Sequence, residues 1–195
     1  MLIANRPLPK IFRKHLFHLP IWRRNPVKSL FSFDLKFKIQ EQQKSNWCWA
    51  AVSQAVSHYT LGYQKDNTQV YIASRLTGCS CTRACQGINH CNRKQLLPRA
   101  LSVARCSHKA ISHHPSSPFS ALLPSIIDRI HLDLPIPCRI QWTKDNTGHF
   151  SVIYGYYIGQ EKWIFVADPD TGYSEWDSAV FYANNSFILT NTVTL

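Results

Sequence analysis

Residues 42–51 read QQKSNWCWAA, a polar, glutamine-rich run that ends in a cysteine between two tryptophans and passes into helix-forming sequence. A thiol is a strong nucleophile only as thiolate, and a helix N-terminus favours the anion with partial positive charge and free N–H groups. Cys48 stands where the predicted helix starts. Acyl transfer also needs donors for a tetrahedral oxyanion, and the Cys48 amide together with an upstream glutamine side chain meets that need. Gln42 and Gln43 both lie within reach before Cys48.

The base must come from elsewhere in the chain. Of nine histidines, His149 has the best setting, because it follows Gly148 and opens the strand-like run HFSVIYGYY. A turn around 158–161 returns the chain as KWIFVADPD, and an antiparallel ladder centred near residue 159 brings residues 168–170 level with His149. Asp168 is there, able to accept a hydrogen bond from the imidazole, fix its tautomer and stabilise its charged form. Pro169 ends the ladder just past it. Asp145 and Asn146, immediately before His149, are the competing orienting groups.

The elements that must hold these residues change texture along the chain. Lys36–Ile39 predicts a short strand. Cys48 to about Thr60 places Val52, Ala55, Val56 and Tyr59 at helical spacing, with Gly62 as a stop signal. Helical pattern returns over Thr68–Leu76, Arg93–Val103 and Phe119–Ile130, with a loop at 112–118. From Pro135 onward PCRIQW, HFSVIYGYY, KWIFVAD and FILTNTVTL are rich in β-branched and aromatic residues. Helices first and antiparallel strands afterwards predict a two-part α+β domain.

The run QEQQKSNWCWAAVSQAV, then CN before a leucine-rich helix, then RIQW, GHFSVIYGYY and VADPD with a Tyr-rich tail, resembles bacterial papain-like cysteine peptidases. The resemblance is to the small group that includes a plant-pathogen effector protease, with double-glycine-leader peptidases as more distant kin, and it covers residues 39–195. It implies a papain-like fold with a helical half carrying the nucleophile, an antiparallel β half, and a cleft between them. It further implies Cys48 as nucleophile, His149 as general base and acid, Asp168 as orienting residue and Gln42 as oxyanion donor. The order Gln, Cys, His, Asp is the family's, with Asp in place of papain's Asn. Two departures stand out: Asp170 where the group often has an aromatic, and Cys79-Ser80-Cys81 where many relatives have adjacent cysteines.

Global composition narrows the alternatives. The net charge of +11 sits mainly in residues 1–38, where nine Lys or Arg face the single acid Asp34, a net of +8 against +3 for the rest. A basic arm on a nearly balanced body predicts no specific nucleic-acid site on the domain itself. The arm, residues 1–38, reads as a flexible or processed segment. It lacks the apolar core of a secretory signal, yet is Arg-rich and acid-poor like a translocation segment, so secretion or translocation is expected, with a cytoplasmic location as the alternative. No stretch is long and apolar enough for a membrane span. Cys79, Cys81, Cys85 and Cys91, with His90, crowd one segment without the CxxC knuckles of a zinc site, so one or two disulfides are expected there rather than a metal. Cys106 and Cys138 remain open between disulfide and thiol. No cofactor is required. The expected partner is a protein or peptide substrate. The same triad could instead deamidate glutamine, transfer an acyl group or cleave an isopeptide. A non-catalytic rival is polyanion binding through the arm, which predicts steep salt dependence.

Overall fold

A computed structural model describes residues 32–82, 88–113 and 121–195. In chain order the elements are β1 (Ser32–Asp34), α1 (Cys48–Leu61), α2 (Gln69–Thr77), α3 (Ile88–Cys91), α4 (Leu97–Val103), β2 (Lys109–Ser112) and α5 (Leu123–His131). They continue as β3 (Ile136–Trp142), β4 (Gly148–Ile158), β5 (Lys162–Asp168), β6 (Gly172–Asp177), α6 (Ser178–Tyr182) and β7 (Phe187–Thr194). The antiparallel sheet runs β2-β7-β3-β4-β5-β6, and β1 pairs with the end of β4 that extends beyond β3.

Helix α1 is the centre of the molecule. Its residues Cys48 through Ser57 are all buried, because α2 and α4 pack on one side and β4 on the other. A helix enclosed in this way needs small residues, and Ala50, Ala51, Ala55, Ser53 and Ser57 let its neighbours approach closely. The helix is therefore buried on every face over its first ten residues, beyond the single stripe that Val52, Ala55, Val56 and Tyr59 mark in the sequence. Helix α2 starts with Thr68, whose side chain accepts from the Tyr71 amide, and stops at Gly78 in the left-handed conformation.

The central strands of the sheet half bury consecutive residues, so both of their faces are covered. Ile136, Cys138 and Ile140 of β3, Val152 and Ile153 of β4 and Ile164 and Val166 of β5 all belong to the buried core. One register shift interrupts the β4–β5 ladder between Ile153 and Gly155. Gly155 sits where β1 crosses: an added Cβ would lie 2.6 Å from Phe165 Cδ2 and 2.9 Å from the Phe33 carbonyl.

Three expectations change. The strand near 36–39 lies instead at Ser32–Asp34. Residues 35–38 keep strand-like alternation, Leu35 and Phe37 in and Lys36 and Lys38 out, but the Tyr173 hydroxyl takes the Phe37 carbonyl and the Ile39 amide in place of a strand partner. Packed chain thus begins before residue 39: β1 pairs with β4, and Leu35 and Phe37 are core. The helices begin later than their patterns, at Leu97 and Leu123, where Pro98 and Pro124 occupy the first turn, a position that needs no amide donor. The remainder of the arm, residue 83–87 (with Cys85) and most of the 112–118 loop (with His114) fall outside the described residues. Strands β2 and β6 and helix α6 are elements that their short, mixed sequences did not announce.

Candidate active site

Cys48 is the first residue of α1, and no side chain caps the helix there, nor does its first turn contain an acid. The positive end of the helix therefore faces the sulfur without a competing carboxylate. A tight turn leads in, with the Trp47 amide donating to the Lys44 carbonyl at 2.9 Å. The two flanking tryptophans are buried, and each indole finds an acceptor at the end of α3 or just past it: Trp47 Nε1 donates to the Cys91 carbonyl at 2.7 Å and Trp49 Nε1 to the Arg93 carbonyl at 3.0 Å. They hold the helix start in place from behind.

His149 lies near the start of β4, opposite Ile140 of β3. Its Nε2 meets Asp168 Oδ2 at 2.8 Å, with the two side chains only 12% and 6% exposed. The ladder explains the meeting. Val152 pairs with Ala167, so the next step sets Asp168 level with Ser151, on the same face as His149 and one diagonal away. With Nε2 taken by Asp168, Nδ1 is the ring nitrogen left for the Cys48 sulfur, which is among the groups that raise the His149 proton affinity. Burial alone would push the imidazole toward neutrality. The charge and hydrogen bond of Asp168, joined by the Cys48 side chain, outweigh it and hold the His149 proton well above the ordinary histidine range.

Asp168 uses both oxygens. While Oδ2 takes the imidazole, Oδ1 accepts from the Asp170 amide at 2.7 Å and the Thr171 amide at 3.3 Å, a turn in which the carboxylate substitutes for a backbone partner. The competing groups stand elsewhere. Asp145 Oδ1 accepts from the Thr147 amide and hydroxyl, and Asn146 adopts a left-handed conformation in the same exposed turn.

Gln42 and Gln43 separate clearly. The Gln42 amide donates to the Pro169 carbonyl at 2.8 Å, tying this residue to the loop that carries Asp168. Its side chain is half-buried, with Nε2 at 3.2 Å from the Ser45 carbonyl and 3.4 Å from Asp170 Oδ1. Gln43 exposes its side chain and is held through its amide by Gln69 Oε1. Asp170 thus contacts Gln42 directly. Partial burial raises its carboxyl, with the His149 charge working against the rise and the Asp168 and Glu41 carboxylates adding to it.

The other described cysteines are not part of this cluster. Cys81 and Cys91 form a disulfide with a Cα–Cα distance of 5.5 Å, which follows the expectation of a cross-link in this segment. Cys79 Sγ lies 3.2 Å from Cys91 Sγ, so three sulfurs gather. Two of them are bonded to each other and are not thiolate ligands, and zinc binds thiolates. Cys106 and Cys138 are buried thiols, and burial pushes the Cys138 thiol up to about 12, far from reactivity. No helix among the described residues is long and apolar enough to cross a membrane. Nothing in residue spacing pointed to the bonds that segment 91–93 makes to the nucleophile turn, since they join side chains to backbone between parts of the chain more than forty residues apart.

No curated protein matches the sequence. A solved structure from a study of limited antibody cross-reactivity between the mite allergens Blo t 1 and Der p 1 shares 12% identity at a TM-score of 0.41, covering 98% of this chain and 79% of that one, a likeness too shallow to carry functional weight. The family described as papain-like cysteine protease AvrRpt2 matches residues 29–186. The chain belongs to that family, and it is a cysteine-type peptidase of papain-like α+β fold.

Proposed function

We propose that this peptidase hydrolyses peptide bonds of a protein or peptide substrate through Cys48, His149 and Asp168, with Gln42 and the Cys48 amide receiving the oxyanion. The Cys48 thiolate attacks the scissile carbonyl carbon, and the negative charge moves onto the carbonyl oxygen. Gln42 Nε2 exchanges its long contact with Asp170 for that oxygen. The His149 imidazolium gives its Nδ1 proton to the departing amine, the C–N bond breaks, and a thioester remains on Cys48. Water then attacks the thioester, His149 takes its proton, and the acid product leaves as the thiolate–imidazolium pair re-forms.

The observation that most supports this reading is the His149–Asp168 contact at 2.8 Å, with the Cys48 side chain among the groups that raise the proton affinity of that imidazole. Residues 39–195 serve as the catalytic unit together with the strand that precedes them, while the basic arm adds delivery or processing functions. The Cys81–Cys91 disulfide supports work in an oxidising compartment, reached by secretion or translocation. The test is to incubate the full chain and its Cys48→Ala variant with a peptide library and read the products by mass spectrometry. New termini formed by the wild type and absent with the variant are expected. Cleavage that survives the substitution, or side-chain mass changes without new termini, overturns the proposal.

A further inference from the structure

Several hydrogen bonds join the segment Cys91-Asn92-Arg93 to the turn that delivers the nucleophile. Asn92 Oδ1 accepts from the Asn46 amide at 2.9 Å, the Asn92 carbonyl accepts from Asn46 Nδ2 at 2.9 Å, and Asn92 Nδ2 donates to Ser45 Oγ at 2.9 Å. The neighbouring Cys91 and Arg93 carbonyls take the indole N–H groups of Trp47 and Trp49. The segment is itself anchored, because Cys91 is cross-linked to Cys81 beyond the end of α2.

We propose that Asn92 is a positioning residue of the active centre, which sets the Ser45–Trp47 turn and through it both oxyanion donors. This rests on the peptidase reading above. The two donors descend from that turn in different ways. The Cys48 amide follows it directly along the chain, and the Gln42 amide group is steered by its hydrogen bond to the Ser45 carbonyl at 3.2 Å. A rotation of the turn therefore moves the two donors relative to each other. The indoles fix the axis of α1 but not the peptide planes at 45 and 46. Asn92 Oδ1 fixes the Ser45–Asn46 peptide plane through the Asn46 amide, and Nδ2 holds the Ser45 side chain beside it. Donors must converge on a single oxygen within a fraction of an ångström, and a misplacement of about 1 Å costs on the order of 100-fold in rate.

The chemistry of the amide suggests its own control. Asn92→Ala removes both side-chain bonds. Asn92→Asp keeps the acceptor for the Asn46 amide, and its second oxygen can accept from the Ser45 hydroxyl, which turns from acceptor to donor. The experiment measures kcat and KM for the full, disulfide-intact chain and for both variants, normalised to the Cys48 sites that iodoacetamide alkylates, beside thermal unfolding. Asn92→Ala is expected to lower kcat per alkylatable site on the order of 10- to 100-fold with KM nearly unchanged. Asn92→Asp is expected to restore most of it. Should Asn92→Ala not fold, Ser45→Ala, which deletes the Nδ2 bond alone, reads the same ratio with a smaller fall. A merely structural role would lower the number of sites or the melting temperature and leave kcat per site intact, and that result overturns the assignment. An Asn92→Asp enzyme as slow as Asn92→Ala overturns it too. Cys48→Ala, run in parallel, separates the two failures: if it remains active the peptidase mechanism falls and the positioning role with it, whereas an inactive Cys48→Ala beside a fully active Asn92→Ala removes only Asn92.

Discussion

Asp168 divides its two oxygens between chemistry and architecture, one on the imidazole and one on the amides of the turn that follows. Replacing it with Asn keeps the shape and removes the charge. The sign of the effect follows from what raises His149: burial opposes its proton, and Asp168 is the largest influence in favour. Without that charge the imidazolium is lost at lower pH, so the alkaline limb of the kcat/KM profile of Asp168→Asn shifts toward acid, read by rate against pH. The same linkage bears on stability. A proton held more tightly in the folded state stabilises the wild type below about pH 6.5, the unfolded histidine value, and that contribution fades as pH rises through the raised folded value. The variant should show a flatter melting temperature over this window. For Gln42, both Nε2 contacts are long and its Oε1 is buried without a partner, so the side chain contributes little to holding the fold. Gln42→Ala is expected to reduce kcat by roughly 100-fold with KM little altered, in steady-state kinetics.

At the scale of elements, the site depends on one hairpin and one cross-link. The β4–β5 hairpin brings His149 and Asp168 onto one face because its register shifts between Ile153 and Gly155, where β1 passes over it: the pairing nearer the turn, continued unbroken, would set Asp168 opposite Val152 on the other face. A methyl group at 155 would press on the Phe165 ring and the Phe33 carbonyl together, and backbone cannot step aside as a flexible side-chain end can. Gly155→Ala is expected to destabilise the chain by about 1–3 kcal/mol in denaturant unfolding. The Cys81–Cys91 disulfide closes a sequence separation of 10. Its removal by Cys81→Ser with Cys91→Ser should cost about 3 kcal/mol on chain-entropy grounds, seen as a lower melting temperature.

For the whole molecule, the boundary of the folded unit has a measurable consequence. The chain from Ser32 to Gln42 runs from the far end of β4 to the active centre, antiparallel to β4 at first and then along the Tyr173 side chain, before the Gln42 amide reaches Pro169. Leu35 and Phe37 are 3% and 4% exposed. A chain beginning at residue 39 loses both, each worth about 1.5–3 kcal/mol of burial, and loses the strand pairing as well. It should unfold at clearly lower denaturant than one beginning at residue 32, and Gln42, tethered from one side only, should lose activity with it.

The local sequence by itself determined the helical start at Cys48, the two strands that carry His149 and Asp168, and the helices-then-sheet outline, because each rests on short-range periodicity or on a single hairpin. The hairpin that brings the His149 and Asp168 segments level was legible in the same way, but their sharing a face depends on the register shift between Ile153 and Gly155, which no local pattern records. Only the tertiary structure decided the rest. It gave Gln42 and Gln43 different surroundings, with Gln42 against Pro169 and Asp170, the latter 128 residues away. It buried α1 on all sides, replaced an expected strand partner with the hydroxyl of Tyr173, and set Asn92 behind the nucleophile turn. Such contacts depend on which surfaces meet once the chain has folded, and no periodicity in the sequence records them.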